Sequence, residues 1–133
     1  VSGATVEIWQ CDARGRYHPR RDRGTPHPGF PGFGRTSTAA DGGYRFRTIR
    51  PVAYPGRVPH VHFAVAGPGI ERLTTQMYDA ANPDNADDFV LRGVRDPRAR
   101  ASLIVTLSAE GAPEPGALIG RFDIVLGHNL FRT

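Results

Sequence analysis

Residues 4–10, ATVEIWQ, alternate apolar and polar side chains with period two and are rich in Val, Ile and Trp, the mark of a half-buried strand. The same alternation returns in YRFRTI (44–49), with Tyr44 and Phe46 inward and Arg45 and Arg47 outward, directly after the turn signal Asp41-Gly42-Gly43. HVHFAVA (60–66) and RLTTQMY (72–78) read as two further strands, expected to pair as a hairpin through the turn formers Ala66-Gly67-Pro68-Gly69. SLIVTLS (102–108) and IGRFDIVL (119–126) close the chain as apolar, β-branched strands. Between 82 and 100 the pattern turns locally helical, with Asp84 or Asn85 as a cap and Asp96-Pro97 placing proline at a first helical position. Residues 11–43 carry neither period. So long a loop is either functional or disordered, and Tyr17, Phe30 and Phe33 within it argue that it is packed.

These elements predict an all-β fold, a mostly antiparallel β-sandwich with long loops and short helical turns, forming one domain over residues 1–133. Composition agrees: 39% hydrophobic residues suffice for a core, while 16 Gly and 12 Pro are too many for a helical bundle. No apolar run approaches the ~20 residues that span a bilayer, so no membrane partner is expected. Val1 falls almost inside a strand pattern, so a first strand is expected before it, and any export signal would lie there too, leaving the compartment open. The single cysteine, Cys11, excludes an internal disulfide and a thiolate metal cage, so a metal here must draw on His, Tyr, Asp or Glu. All 17 basic residues are Arg and the net charge is +4. The five at 14, 16, 20, 21 and 23 are interspersed with Asp12, Asp22 and turn formers, which reads as a solvated loop, and no nucleic-acid-binding motif occurs, so no nucleic-acid partner is expected. A mildly positive field favours anionic substrates.

The chemistry concentrates around His60 and His62. With one residue between them in a strand, both imidazoles project from one face, roughly 6.5 to 7 Å apart along the backbone, and can converge on one metal. Alone, an HxH pair is as often a surface or core feature. The glutamate that follows it in cupins is missing, since Ala66 and Gly67 occupy those positions. Two tyrosines stand upstream in settings unlike core strand positions, Tyr17 in GRYHP and Tyr54 in AYPGR. A phenol titrates near pH 10, yet a hard trivalent cation holds the phenolate at neutral pH, so two Tyr and two His suit iron(III). The residues by themselves leave two other readings open. One is a different metal held by His60, His62 and an acid such as Asp41 or Glu71. The other is a non-catalytic transthyretin-like β-sandwich binding module, in which DGGYRF is also common.

VEIWQ, GRY, DGGYRFRTIRP, AYPGR, PHVHF and LTTQMY follow one another along nearly the whole chain. In this order and spacing they resemble the intradiol ring-cleaving catechol dioxygenases, particularly the protocatechuate 3,4-dioxygenase-like branch. The resemblance implies a non-haem iron(III) held by Tyr17, Tyr54, His60 and His62, with a small-molecule catechol and O2 as substrates. It implies cleavage between the two hydroxyl-bearing carbons to give a cis,cis-muconate, with Tyr54 leaving the metal and taking a proton as substrate binds. Arg57, three residues before His60, matches an active-site arginine that stabilises developing negative charge, and Gln76 matches an active-site glutamine. Trp9 is expected to pack beneath the site. His18, His27 and His128 match no ligand position, and Glu7, Asp41 and Asp123 read as strand or turn residues. Many relatives carry a bulky aromatic directly after the Tyr-Pro step where this chain has Gly56, which implies a wider pocket on that side. The helical dimerisation segment of the catechol 1,2-dioxygenases has no counterpart in these residues, which leaves the oligomer open. Which catechol is used lies in variable loops and is not fixed by these motifs.

Overall fold

The structure, a computed structural model, describes residues 1–12, 15, 32–67 and 69–126. Among the described residues five strands form one sheet: β1 (Thr5–Trp9), β2 (Phe33–Ser37), β3 (His60–Gly67), β4 (Ile70–Asp79) and β5 (Ile104–Val105), in spatial order β2-β1-β3-β4-β5. Between β4 and β5 run a 3₁₀ turn (Pro83–Asp87) and two short helices, α1 (Phe89–Arg92) and α2 (Pro97–Ser102). The first four strands pair antiparallel, but β5 runs parallel to β4, so the sheet is mixed.

The period-two segments behave as expected where both faces find partners. β1 sits between β2 and β3, and β3 and β4 form the expected hairpin with an irregularity between Val65 and Gly67. Three expectations change. Within the stretch read as one long loop, FGRTS forms β2, an edge strand with alternating exposed and half-buried positions and only one large apolar side chain to announce it. Residues 44–49 and 119–126 keep their alternation and send Tyr44, Phe46, Phe122, Ile124 and Leu126 into the core, yet among the described residues they join no strand ladder beyond the single bridge of Ile119 to Ser108. Their link is instead from side chain to backbone, the Tyr44 hydroxyl donating to the Phe122 carbonyl at 2.5 Å. The predicted strand 102–108 shrinks to Ile104–Val105 because α2 continues through Ser102. The described residues therefore make a β-rich fold of one mixed sheet with an apolar layer on one face, short of a complete sandwich of two ladders.

The helix signals hold at Asp96, whose side chain accepts from the Arg98 N–H with Pro97 at the first helical position. The cap expected at Asp84 or Asn85 moves to Asn82, because Pro83 takes the first position and the residue before it must cap. Asn85 is buried instead, donating to the Asp79 carbonyl at 2.8 Å. Asp88 caps α1.

One face of the sheet makes the core. Register sets Val6 opposite Val65 and Ile8 opposite Phe63 across β1 and β3, with Val61 opposite Met77 across β3 and β4. These, with Phe122 and Val105, form the main apolar cluster, and each such side chain fully buried contributes roughly 1.5–3 kcal/mol. Because strand side chains alternate, the intervening residues of β3, His60 and His62, must emerge on the opposite face.

Candidate metal centre

That opposite face is assembled by register. His62 lies across from Trp9 on β1 and Gln76 on β4, and His60 across from Tyr78, so the five side chains share one surface. A turn just before β3 brings two more. Tyr54 and Arg57 form a bridge in which each N–H donates to the other's carbonyl, at 3.3 and 2.9 Å, and Gly56 with φ +84° makes the reversal.

The polar atoms converge tightly. Tyr54 Oη lies 3.2 Å from His60 Nε2, which lies 3.2 Å from His62 Nε2 and 3.4 Å from Arg57 Nη1. His60 Nδ1 donates to the Val58 carbonyl at 2.7 Å, which fixes the tautomer and leaves the Nε2 lone pair facing the cluster. Burial pushes the His60 pKa down, with the Arg57 charge adding to the shift. His62 is pushed down to about 4, by burial first and then by His60 and Arg57. Both rings are thus neutral at pH 7 and able to act as ligands. Trp9 stacks on His62 with centroids 5.0 Å apart and planes 2° from parallel.

This donor set fits a metal ion. Bonds of about 2.1 Å to one small cation hold adjacent donor atoms about 3.0–3.4 Å apart, the range of the observed Nε2–Nε2 and Oη–Nε2 separations. Among the described residues no group of three His, Cys, Asp or Glu could hold a metal, so the alternative with an acidic third ligand finds no support there. Asp41 instead accepts from the Gly43 N–H in its own turn, and Glu71 sits near the start of β4, five residues from Gln76. The remaining donor type is phenolic oxygen. Tyr17 lies outside the described residues, as do His18, His27 and His128. Gly15, two positions before Tyr17, packs so closely on Tyr54 that an added Cβ would stand 3.3 Å from Tyr54 Cβ.

Arg57 and Gln76 are both brought to this surface, and with them two residues that the sequence did not single out. Arg57 Nη2 donates to Gln76 Oε1 at 2.5 Å and to Tyr78 Oη at 3.3 Å, and Tyr78 Oη donates to Gln76 Oε1 at 3.0 Å. Asp88 takes Arg57 Nε at 2.9 Å, with side chains 0% and 9% exposed respectively. Burial alone would raise the Asp88 carboxyl, but hydrogen bonds from Arg57, Leu91 and Val58 together with the Arg57 charge hold it below the usual carboxylate range. Burial works to lower the Arg57 pKa, yet the Asp88 partner raises it overall. The Tyr78 phenol is pushed up to about 12, by burial and then by Asp88, and stays protonated. Glu7 pairs with Arg35 across β1 and β2, and Asp123, outside any strand, pairs with Arg121 two positions before it.

Comparison with known proteins bears on what this surface does. A family model described as Dioxygenase matches residues 1–128. The chain is 42% identical over 95% of its length to the protocatechuate 3,4-dioxygenase beta chain of Burkholderia cepacia, covering 57% of that protein. It is 32% identical over 95% of its length to a hydroxyquinol 1,2-dioxygenase of Corynebacterium glutamicum, covering 48% of it. Among solved structures, the dioxygenase domain of a dioxygenase carbohydrate-binding protein fusion from Streptomyces sp. SirexAA-E superposes with a TM-score of 0.67. That match has 31% identity and covers 95% of this chain and 69% of that one. The chain thus spans about half the length of the two enzyme sequences.

Proposed function

Since the chain belongs to the intradiol ring-cleaving dioxygenase family, we propose that it cleaves a catechol-type ring with O2 between the two hydroxyl-bearing carbons, yielding a cis,cis-muconate. Tyr17, Tyr54, His60 and His62 would hold a non-haem iron(III), and the catechol would be a protocatechuate, catechol or hydroxyquinol type. When bound, the ferric ion supplies the Lewis acidity that draws the catechol in as its dianion and makes the ring reactive toward triplet O2. The observation that carries this reading is the convergence of Tyr54 Oη with two neutral imidazole Nε2 atoms beside a buried guanidinium.

The chain's own residues divide the remaining work. Tyr54, which stands on a turn at the edge of the cluster, would be a phenolate while it held the ion and as such would take one of the catechol protons at Oη on release. His60 and His62 hold their positions on β3, His60 through its Nδ1–H to Val58 and His62 through its stack on Trp9. Arg57, a permanent cation with Nη1 toward the cluster, stabilises negative charge as it develops on the ring, a role whose loss costs ~3 kcal/mol, about a hundredfold in rate. Gln76 and Tyr78 hold the guanidinium from behind.

The test is colour and oxygen uptake. Purified iron-loaded protein is expected to be red to burgundy from tyrosinate-to-iron(III) charge transfer, and to consume O2 with members of a catechol panel, giving ring-opened diacids identified by mass. A protein that binds no iron, stays colourless and consumes no O2 would falsify the reading and favour the non-catalytic β-sandwich module.

A further inference from the structure

The planar guanidinium of Arg57 is held on three sides. Nε donates to Asp88 Oδ2 at 2.9 Å, and Nη2 reaches Gln76 Oε1 at 2.5 Å, Tyr78 Oη at 3.3 Å and Asp88 Oδ1 at 3.5 Å. The ring of Phe89 stands 5.6 Å from Cζ. Because the fork is rigid, fixing Nε and Nη2 also fixes Nη1, which points at His60 Nε2 from 3.4 Å.

The carboxylate doing the fixing has other partners. Asp88 Oδ1 accepts the N–H groups of Val90 and Leu91 at 3.1 and 3.0 Å, capping α1. Oδ2 accepts the N–H of Val58, between Arg57 and His60, at 3.3 Å. One side chain therefore joins the helix after β4, the backbone leading into β3 and the guanidinium. A helix cap requires only a small polar acceptor, for which Asn or Ser serves as well as Asp. A carboxylate with no exposure is a costly choice for a cap alone, and its charge is matched here by Arg57.

We infer that Asp88 is a positioning residue for the reaction: its carboxylate clamps the rear edge of Arg57 so that Nη1 is presented to the Tyr54, His60 and His62 cluster. It acts through Arg57 and touches none of those three side chains in its hydrogen bonds. The inference rests on the reading given under Proposed function, so its test needs one arm that does not depend on turnover.

In the first arm, Asp88→Asn in the iron-loaded full chain keeps the size and the cap but removes the charge. The expected result is a kcat lower by about tenfold, KM within about threefold and iron content unchanged, with part of the loss recovered in Asp88→Glu. In an Arg57→Leu background the same change is expected to cost less than about twofold, since nothing remains to be positioned. A kcat for Asp88→Asn within twofold of the parent overturns the inference, as does an equal penalty in both backgrounds, which marks a merely structural role. In the second arm, solvent exchange of the Arg57 Nε–H is followed by NMR in the chain as purified, loaded with diamagnetic gallium(III) where it takes up iron. Exchange at least about tenfold faster in Asp88→Asn supports the clamp, and unchanged protection overturns it. A parent chain without iron or turnover refutes the proposed function, while the exchange arm still decides whether Asp88 holds Arg57.

Discussion

Replacing Arg57 by Leu removes a cation and strands an anion. Asp88 is left with a fully buried side chain facing the N–H groups of Val58, Val90 and Leu91 and the nearby Tyr78 hydroxyl, with no cation beside it among the described residues. Breaking a buried pair from one side costs about 3–5 kcal/mol, and with three backbone donors remaining the low end, about 3 kcal/mol, is expected. At about 4 °C per kcal/mol for a domain of this size, Tm falls by about 12 °C near pH 7. The pH dependence follows from the sign of the shift. In the parent the Asp88 carboxyl is held below its ordinary value of 3.8, so its contribution is present above that value and lost only as pH falls through the lower folded pKa. Without Arg57 the upward push of burial is no longer outweighed and the folded pKa rises. The penalty then grows as pH climbs above about 4 and is largest at neutrality. Urea unfolding followed by circular dichroism at pH 4.5 and pH 7, at matched metal loading, reads this directly. Adding Asp88→Asn to Arg57→Leu is expected to recover more than half of the neutral-pH loss. A deficit equal at both pH values, or a double variant less stable than Arg57→Leu, refutes the buried-charge argument.

Three further outcomes are expected. Trp9→Leu removes the stack on His62 and should weaken iron retention against a competing chelator by about tenfold, with unchanged retention counting against an orienting role. Gly34→Val places a Cβ 3.2 Å from Phe46 Cε1 and 3.3 Å from Ile8 Cγ1, and is expected to cost about 1–3 kcal/mol in the urea midpoint, with Gly34→Ala costing less; a neutral Val variant contradicts the tight packing of β2. In the metal-free chain His62 resists protonation down to about 4 while the unfolded chain takes the proton near 6.5, so stability is lost as pH falls through that window. His62→Gln should flatten part of the slope, and an identical slope in that variant would rule out His62 as its source.

The sequence was legible wherever a residue's role depended on its immediate neighbours. Strand alternation placed β1 and the shared face of His60 and His62, because a period of two is imposed by the backbone itself, and the turn formers after Val65 added the β3–β4 hairpin. β2 escaped because an exposed edge strand needs no apolar stripe, and FGRTS has none. Residues 44–49 had the right alternation, but alternation reports burial on one side and says nothing of a hydrogen-bonded neighbour. Asp88 was out of reach for another reason. Local signals in NADDFVLR indicate at most a helix cap, whereas its guanidinium partner lies 31 positions earlier. Tyr78 could have been found by extending the register, since a hairpin that sets Gln76 opposite His62 must set Tyr78 opposite His60.

The glycine between Tyr54 and Arg57 has a bearing on attempts to retune selectivity. An added Cβ at position 56 would meet nothing within 4 Å, so the spot looks inviting for a bulkier group that narrows the approach to the ring. Its φ of +84° says otherwise, for side-chain-bearing residues adopt that angle only at a cost of about 1–3 kcal/mol. Relief of that strain would twist the two-residue bridge that aims a phenol from one end and a guanidinium from the other. Changes meant to reshape the rim of this site are therefore better begun elsewhere, with asparagine the mildest exchange at this corner.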